Sequence, residues 1–169
     1  LHTLFPYTTL FRSRIAFACK EWTDQLGAGM SPSTGFGPVI VGEWSQADTD
    51  CAKYLNGVGN GARWTGTFSG TTTPYCPTLD QKCSCDMANA AASSFSSEYK
   101  LFLQTWAEAQ MFVFEKTWGW FYWTWKTESA PLWSYQAGLK GGYLPALAYK
   151  RDWDCSKPVP GFGSLPEYY

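Results

Sequence analysis

Apolar and polar positions along this chain fall into three patterns. Behind Pro38, the residues Val39, Ile40 and Val41 form a short β-branched run that ends at Gly42 and Glu43, and a run so bounded predicts a buried strand. From roughly Ser96 to Lys116, Leu101, Phe102, Ala109, Phe112 and Val113 recur at helical spacing behind serines placed to cap the first turn, which predicts a long helix. Trp118, Trp120, Phe121, Tyr122, Trp123 and Trp125 then crowd one stretch at a density that suits a strand better than an exposed helix. Alternation sends Phe121, Trp123 and Trp125 to one face and Trp120 and Tyr122 to the other, so both faces are apolar and the strand is expected to be covered on both sides. Strand, helix and strand in that order make a parallel unit of an α/β fold.

Glu43 is the carboxylate that this pattern singles out, because it falls at the carboxyl end of the first strand. In parallel α/β sheets that end carries the chemistry. Against it stands the ordinary reading of a strand-end glutamate that points at solvent. The stretch from Asn56 to Asn89 is rich in Gly, Thr, Ser, Asn and Pro, contains Asn56-Gly57 and Asn60-Gly61, and predicts a long loop above the strand ends. Arg63 and Trp64 in that loop are candidates for ligand contact, with packing or an ion pair as the equal alternative. Residues after Cys155 read as a Pro- and Gly-rich tail.

Composition excludes several kinds of chemistry. The single histidine is His2, at the extreme N-terminus, so the rest of the chain makes no Ser-His-Asp or Cys-His site and no histidine-containing zinc site. With 13 basic against 14 acidic residues there is no electrostatic footing for nucleic acid or an anionic membrane, and no apolar run is long enough to span a bilayer. Cys19, Cys51, Cys76, Cys83, Cys85 and Cys155 are an even set without paired C-x-x-C motifs, which predicts disulfides and an extracellular setting. Cys83-Ser84-Cys85 alone lacks the further ligands that a soft metal needs.

Taken together, PVIVGEWS, TDCAKYLNGVGNGARW, the AEAQ of the long helix, GWFYWTWKTESAPLWSYQAG and the closing Cys155 resemble the C-terminal part of the fungal exo-β-1,3-glucanases of glycoside hydrolase family 5. The resemblance runs from about Ile15 to Cys155 and implies the C-terminal part of a (β/α)8 TIM barrel, about strands seven and eight with their helices and rim loops. Family members are secreted or wall-associated and remove glucose from the non-reducing end of β-1,3-glucan with retention of configuration. By position, the resemblance makes Glu43 the nucleophile, Trp123 the floor of the glucose subsite, and Asn56 a residue near the same sugar. Ordinary core packing is the competing reading for Trp123. The resemblance further implies a monomer acting on a β-1,3-glucan or oligosaccharide substrate, with no metal and no organic cofactor. It pairs Cys19 with Cys155 and directs Cys51 to the loop cysteines. Cys51 with Cys85 is favoured, leaving Cys76 with Cys83, and Cys51 with Cys76 stays open.

The family's acid/base glutamate follows an asparagine in an Asn-Glu-Pro setting that this chain does not contain. Glu98, Glu108 and Glu115 on the long helix read as a solvated face or as partners of neighbours such as Lys116, Glu128 reads as a loop ion pair with Lys126, and Glu21 and Glu167 carry no motif. The acid/base residue is therefore expected upstream of the chain, which is also shorter than the roughly 250 residues of a whole barrel. A barrel so divided has open parallel edges that pair with whatever is available. Residues Thr3 to Ser13, TLFPYTTLFRS, back-translate to a widely used short-read sequencing adapter. Residues 1–13 are accordingly read as a translated artefact, 14–155 as the barrel part and 156–169 as the tail. The alternatives are another β-glucanase or β-glucosidase of the same family, such as a β-1,6-glucanase, or a non-catalytic carbohydrate-binding module, suggested by the 18% aromatic content.

Overall fold

A computed structural model describes residues 8–76, 83–163 and 165. Its centre is the long helix, here α4 (Ser97–Phe114), which runs within two residues of the predicted limits. Ser96 caps it, its side-chain oxygen accepting the Tyr99 N–H at 3.2 Å. Phe102, Leu103, Ala107, Ala109, Met111, Val113 and Phe114 on this helix are buried, whereas Leu101 points to solvent and is not part of the stripe.

The other elements pack around α4. Helix α1 (Thr8–Phe17) passes through a π turn at Ala18–Trp22 into α2 (Thr23–Gly29), and strand β1 (Val41–Trp44) follows. A long irregular excursion containing the short helix α3 (Asp86–Asn89) leads to α4, and strand β2 (Trp120–Tyr122) comes next. Helix α5 (Tyr135–Gly141) closes the set, capped by Ser134 and ended by Gly142, whose φ of +70° suits the left-handed turn that stops a helix. β1 and β2 pair in parallel, with Val41 opposite Trp120 and Trp44 opposite Tyr122, and β1 carries one extra residue between those pairs. The predicted strand, helix and strand unit is present.

One cluster joins Ile15, Phe102, Leu103, Tyr143 and Phe162 on one side of α4. A second joins Trp44, Met111, Phe114 and Leu144 beneath the sheet, with Trp44 edge-on to Tyr122 at 4.9 Å between ring centroids. Three disulfides, Cys19–Cys155, Cys51–Cys85 and Cys76–Cys83, tie α1 to the C-terminal segment and staple the loop after β1. All three follow the favoured pairing.

Several expectations are corrected. The first strand lies later than predicted: β1 contains Glu43, and Ile40 lies outside it, 53% exposed. The aromatic strand is covered on one face only, because Phe121, Trp123 and Trp125 are 63%, 56% and 60% exposed. The physical reason is that β1 and β2 are each other's sole partners among the described residues, so nothing packs over their second face. The segment after Cys155 is not a free tail as far as it is described, since Phe162 and Leu165 are buried in the core and the Trp153 indole donates to the Pro158 carbonyl at 3.0 Å. Glu167 and His2 lie outside the described residues, as do 1–7 of the segment read as adapter. The remainder of that segment opens α1 and contributes Phe11 to the core.

Candidate functional site

Side-chain alternation decides where Glu43 and Trp123 point. Trp44 and Tyr122 touch each other on the core side of the sheet. Glu43 precedes Trp44 and Trp123 follows Tyr122, so both project to the opposite face. Both are exposed there. The strands are stitched together at this point, the Trp123 N–H donating to the Trp44 carbonyl at 2.8 Å, and the Trp123–Thr124 peptide is cis. Among the described residues no hydrogen bond or ion pair engages the Glu43 carboxylate.

The other glutamates are committed elsewhere. Glu108 is the strongest departure from its sequence reading, because it is only 1% exposed. It accepts the N–H groups of Asp152 at 3.2 Å and Trp153 at 3.0 Å, and the Gln104 amide at 3.2 Å. Burial raises its acidity constant above the ordinary carboxylate value, and those three donors oppose the rise. Glu115 grips Arg151 through two contacts of 2.7 Å and leaves Lys116 to lie over the Phe112 ring. Glu21 pairs with Lys20 at 2.7 Å, and Glu98 accepts from Ser97. Glu128 is exposed, and among the described residues no ion pair joins it to Lys126.

Asn56 stands apart from the Glu43 and Trp123 face. Its amide nitrogen donates to Asp50 Oδ2 at 2.9 Å and to the Gly61 carbonyl at 3.0 Å, and its oxygen accepts from Arg63 at 3.0 Å. The hub of this loop is Asp50, which sequence reasoning passed over. One carboxylate oxygen accepts the Arg63 N–H at 2.7 Å and the other the Trp64 N–H at 2.9 Å. Burial pushes Asp50 upward, but these N–H donors and the Asn56 amide outweigh it and hold the group below its ordinary value. An Asp one residue before a disulfide cysteine, in a loop dense with Gly and Asn, was the available signal.

Arg63 lies over the Phe68 ring at 4.0 Å and pairs with Asp50 at 3.6 Å, while Trp64 is packed among Cys51, Ala62, Cys76 and Ala88. Asp48 is a second carboxylate missed in the sequence. Burial raises its acidity constant, opposed by Arg14 at 3.7 Å and by the Tyr99 hydroxyl at 3.4 Å. Among the described residues no group of three or more His, Cys, Asp or Glu side chains is arranged to hold a metal ion, and no helix is long and apolar enough to cross a membrane.

No protein-family model matches the chain. Among curated proteins it is 57% identical over 159 residues to the glucan 1,3-beta-glucosidase D of Emericella nidulans, a match covering 93% of this chain and 19% of that protein. It is likewise 57% identical over 160 residues to a probable glucan 1,3-beta-glucosidase D of Aspergillus fumigatus and 54% identical over 158 residues to one of Aspergillus niger. The chain is a homologue of one segment of these fungal proteins, whose names describe glycoside hydrolases, and it spans about a fifth (19%) of their length.

Proposed function

We propose that this chain is the C-terminal barrel portion of a secreted, retaining exo-β-1,3-glucanase of glycoside hydrolase family 5, with β1 and β2 as the seventh and eighth strands of a (β/α)8 barrel. Residues 1–13 are a translated adapter in this reading, outside the enzyme. The observation that carries it is the 57% identity over nearly the whole chain to a protein named as a glucan 1,3-beta-glucosidase. The parallel pairing of β1 with β2 across α4 supports the barrel assignment, as βαβ repetition is how such barrels are built.

Glu43 attacks the anomeric carbon of the terminal glucose and forms a covalent glycosyl-enzyme, which water then hydrolyses. A second carboxyl roughly 5 Å away must protonate the departing oxygen in such a mechanism. The glutamates described above are bound elsewhere or lie on exposed helix and loop positions, so the acid/base residue belongs to the upstream part of the barrel and the isolated chain is inactive. Trp123 offers its indole face to the C–H face of the sugar, and its electron-rich surface tolerates the positive charge that develops on the ring. The common face of Glu43 and Trp123 favours this arrangement over one in which the acid points away from the aromatic platform. Asn56 approaches the same sugar only through the loop that Asp50 organises. Two carboxylates suffice for this chemistry, without metal or organic cofactor, and the enzyme acts as a monomer.

The test is a chimera in which residues 15–155 replace the matching segment of the Emericella nidulans relative. It should release glucose from laminarin with retained configuration, and Glu43→Gln should lower kcat by about 10⁴-fold or more without unfolding the protein. An active Glu43→Gln chimera removes the nucleophile assignment. Preferred release from β-1,6-glucan would move the chain to another activity of the same family.

For the isolated chain, the exposed row of Phe121, Trp123 and Trp125 favours a second reading, glucan binding without turnover.

A further inference from the structure

A cleft of about 470 Å³, within the size range of small-molecule sites, opens where Arg14 of α1, the segment after β1, the stapled loop and Trp133 meet. Its polar wall is two ion pairs, Arg14 with Asp48 at 3.7 Å and Arg63 with Asp50 at 3.6 Å. Two cations against two anions leave the cleft without net charge. That balance disfavours anionic ligands and suits a neutral polyhydroxyl compound, whose hydroxyl groups both accept from guanidinium and donate to carboxylate. Trp64 and Trp133 add the apolar surface on which the C–H face of a pyranose rests.

A second observation is independent of this composition. Trp64 is only 7% exposed, and its buried indole N–H has no hydrogen-bond partner among the described residues. Buried indole donors are normally paired, and one left unmade costs free energy until an acceptor reaches it. Trp64 is itself a wall of the cleft, so a ligand hydroxyl oxygen is placed to supply that acceptor.

We propose that this cleft is a second saccharide-binding site, distinct from the Glu43 and Trp123 face, which holds a neutral glucan segment through Trp64, the two arginines and the two aspartates. It rests on the glucan reading above for the identity of the sugar, and not for the existence of the cleft. Binding at such a site anchors the polymer away from the reacting end and involves no bond change.

The experiment is a ¹H–¹⁵N titration of the complete oxidised chain with laminarihexaose, following the indole N–H resonances. Those of Trp64 and Trp123 are identified from the variants Trp64→Phe and Trp123→Phe and confirmed by backbone assignment of the unsubstituted chain. The Trp64 indole signal should shift saturably, Trp64→Phe should weaken binding about three- to tenfold, and an oligogalacturonate of equal length should leave that signal in place. A Trp123 signal that moves while Trp64 stays still overturns the second site and leaves the glucan reading intact. A Trp64 signal that responds to the anionic oligomer and not to laminarihexaose overturns the neutral-glucan assignment. No movement of either signal overturns the second site, while the chimera's glucose release independently decides the glucanase reading.

Discussion

The Trp123 backbone N–H donates to the carbonyl of Trp44 at 2.8 Å, which fixes the residue after β2 against the end of β1. Because Trp44 faces the core, this bond sets Trp123 and Glu43 on the outer face, one on each strand. The arrangement separates catalytic from structural effects. Neither outer side chain is buried, so Glu43→Gln and Trp123→Ala should each change unfolding stability by less than about 0.5 kcal/mol. In the chimera, Trp123→Ala should lower kcat/KM about tenfold or more through loss of the stacking surface. A loss of stability equal to that of a core substitution would assign Trp123 to packing instead.

Asp50 gives a pH-dependent prediction. Its acidity constant is held below the ordinary 3.8 by the N–H groups of Trp64 and Arg63 and by Asn56, despite burial. A depressed folded-state value contributes stability that is present above the unfolded value and is lost as pH falls through the folded one. Asp50→Asn should therefore reduce the thermal midpoint at pH 7, and the difference from the unsubstituted chain should shrink as pH is lowered from about 4 toward 2. A difference that is constant over that range would mean that Asp50 acts through shape alone.

Glu108 predicts the opposite sign. Burial raises its value above the ordinary 4.5, so the folded chain takes up the proton more readily than the unfolded one. Stability contributed by this group then increases as pH falls toward the unfolded value and decreases as pH rises through the folded one. Relative to Glu108→Gln, the unsubstituted chain should gain stability between about pH 7 and pH 4.5. Glu108→Ala strands the Asp152 and Trp153 N–H groups and should cost about 2–4 kcal/mol by urea unfolding at pH 7. A cost below about 0.5 kcal/mol would show that water replaces the carboxylate and that no clamp exists.

Glu108 also marks where the sequence stops being informative. The helix around it is legible because α4 repeats buried residues at three and four positions and starts at a serine cap, both of which are local signals. The partners of Glu108 lie 44 and 45 residues away, so no local pattern distinguishes it from a solvated helix glutamate. Exposure of Phe121, Trp123 and Trp125 was hidden for a related reason. Alternation gives the two faces of a strand, but only the neighbouring layers decide whether a face is covered, and no layer covers this one among the described residues. The placement of Glu43 and Trp123 together follows from alternation once the parallel register is known. The Asp50 hub depends on loop contacts 13 and 14 residues apart, which have no periodicity to read.

The three disulfides close loops of very different length, and that orders their contributions. Cys19–Cys155 spans 136 residues, Cys51–Cys85 spans 34 and Cys76–Cys83 spans 7. In the chain-entropy account these separations correspond to about 5, 4 and 2 kcal/mol. The longest also joins packed regions, since Cys155 contacts both main core clusters and Cys19 one of them. Replacing each pair by serines and measuring urea unfolding without reductant should therefore give the largest loss for Cys19/Cys155 and the smallest for Cys76/Cys83. Cys76/Cys83 should mainly loosen the loop, raising amide exchange at Ala62 to Trp64 while leaving α4 protected. If removing Cys76–Cys83 destabilised α4 as much as removing Cys19–Cys155, loop length would not govern these bridges, and the loop after β1 would instead belong to the core that α4 organises.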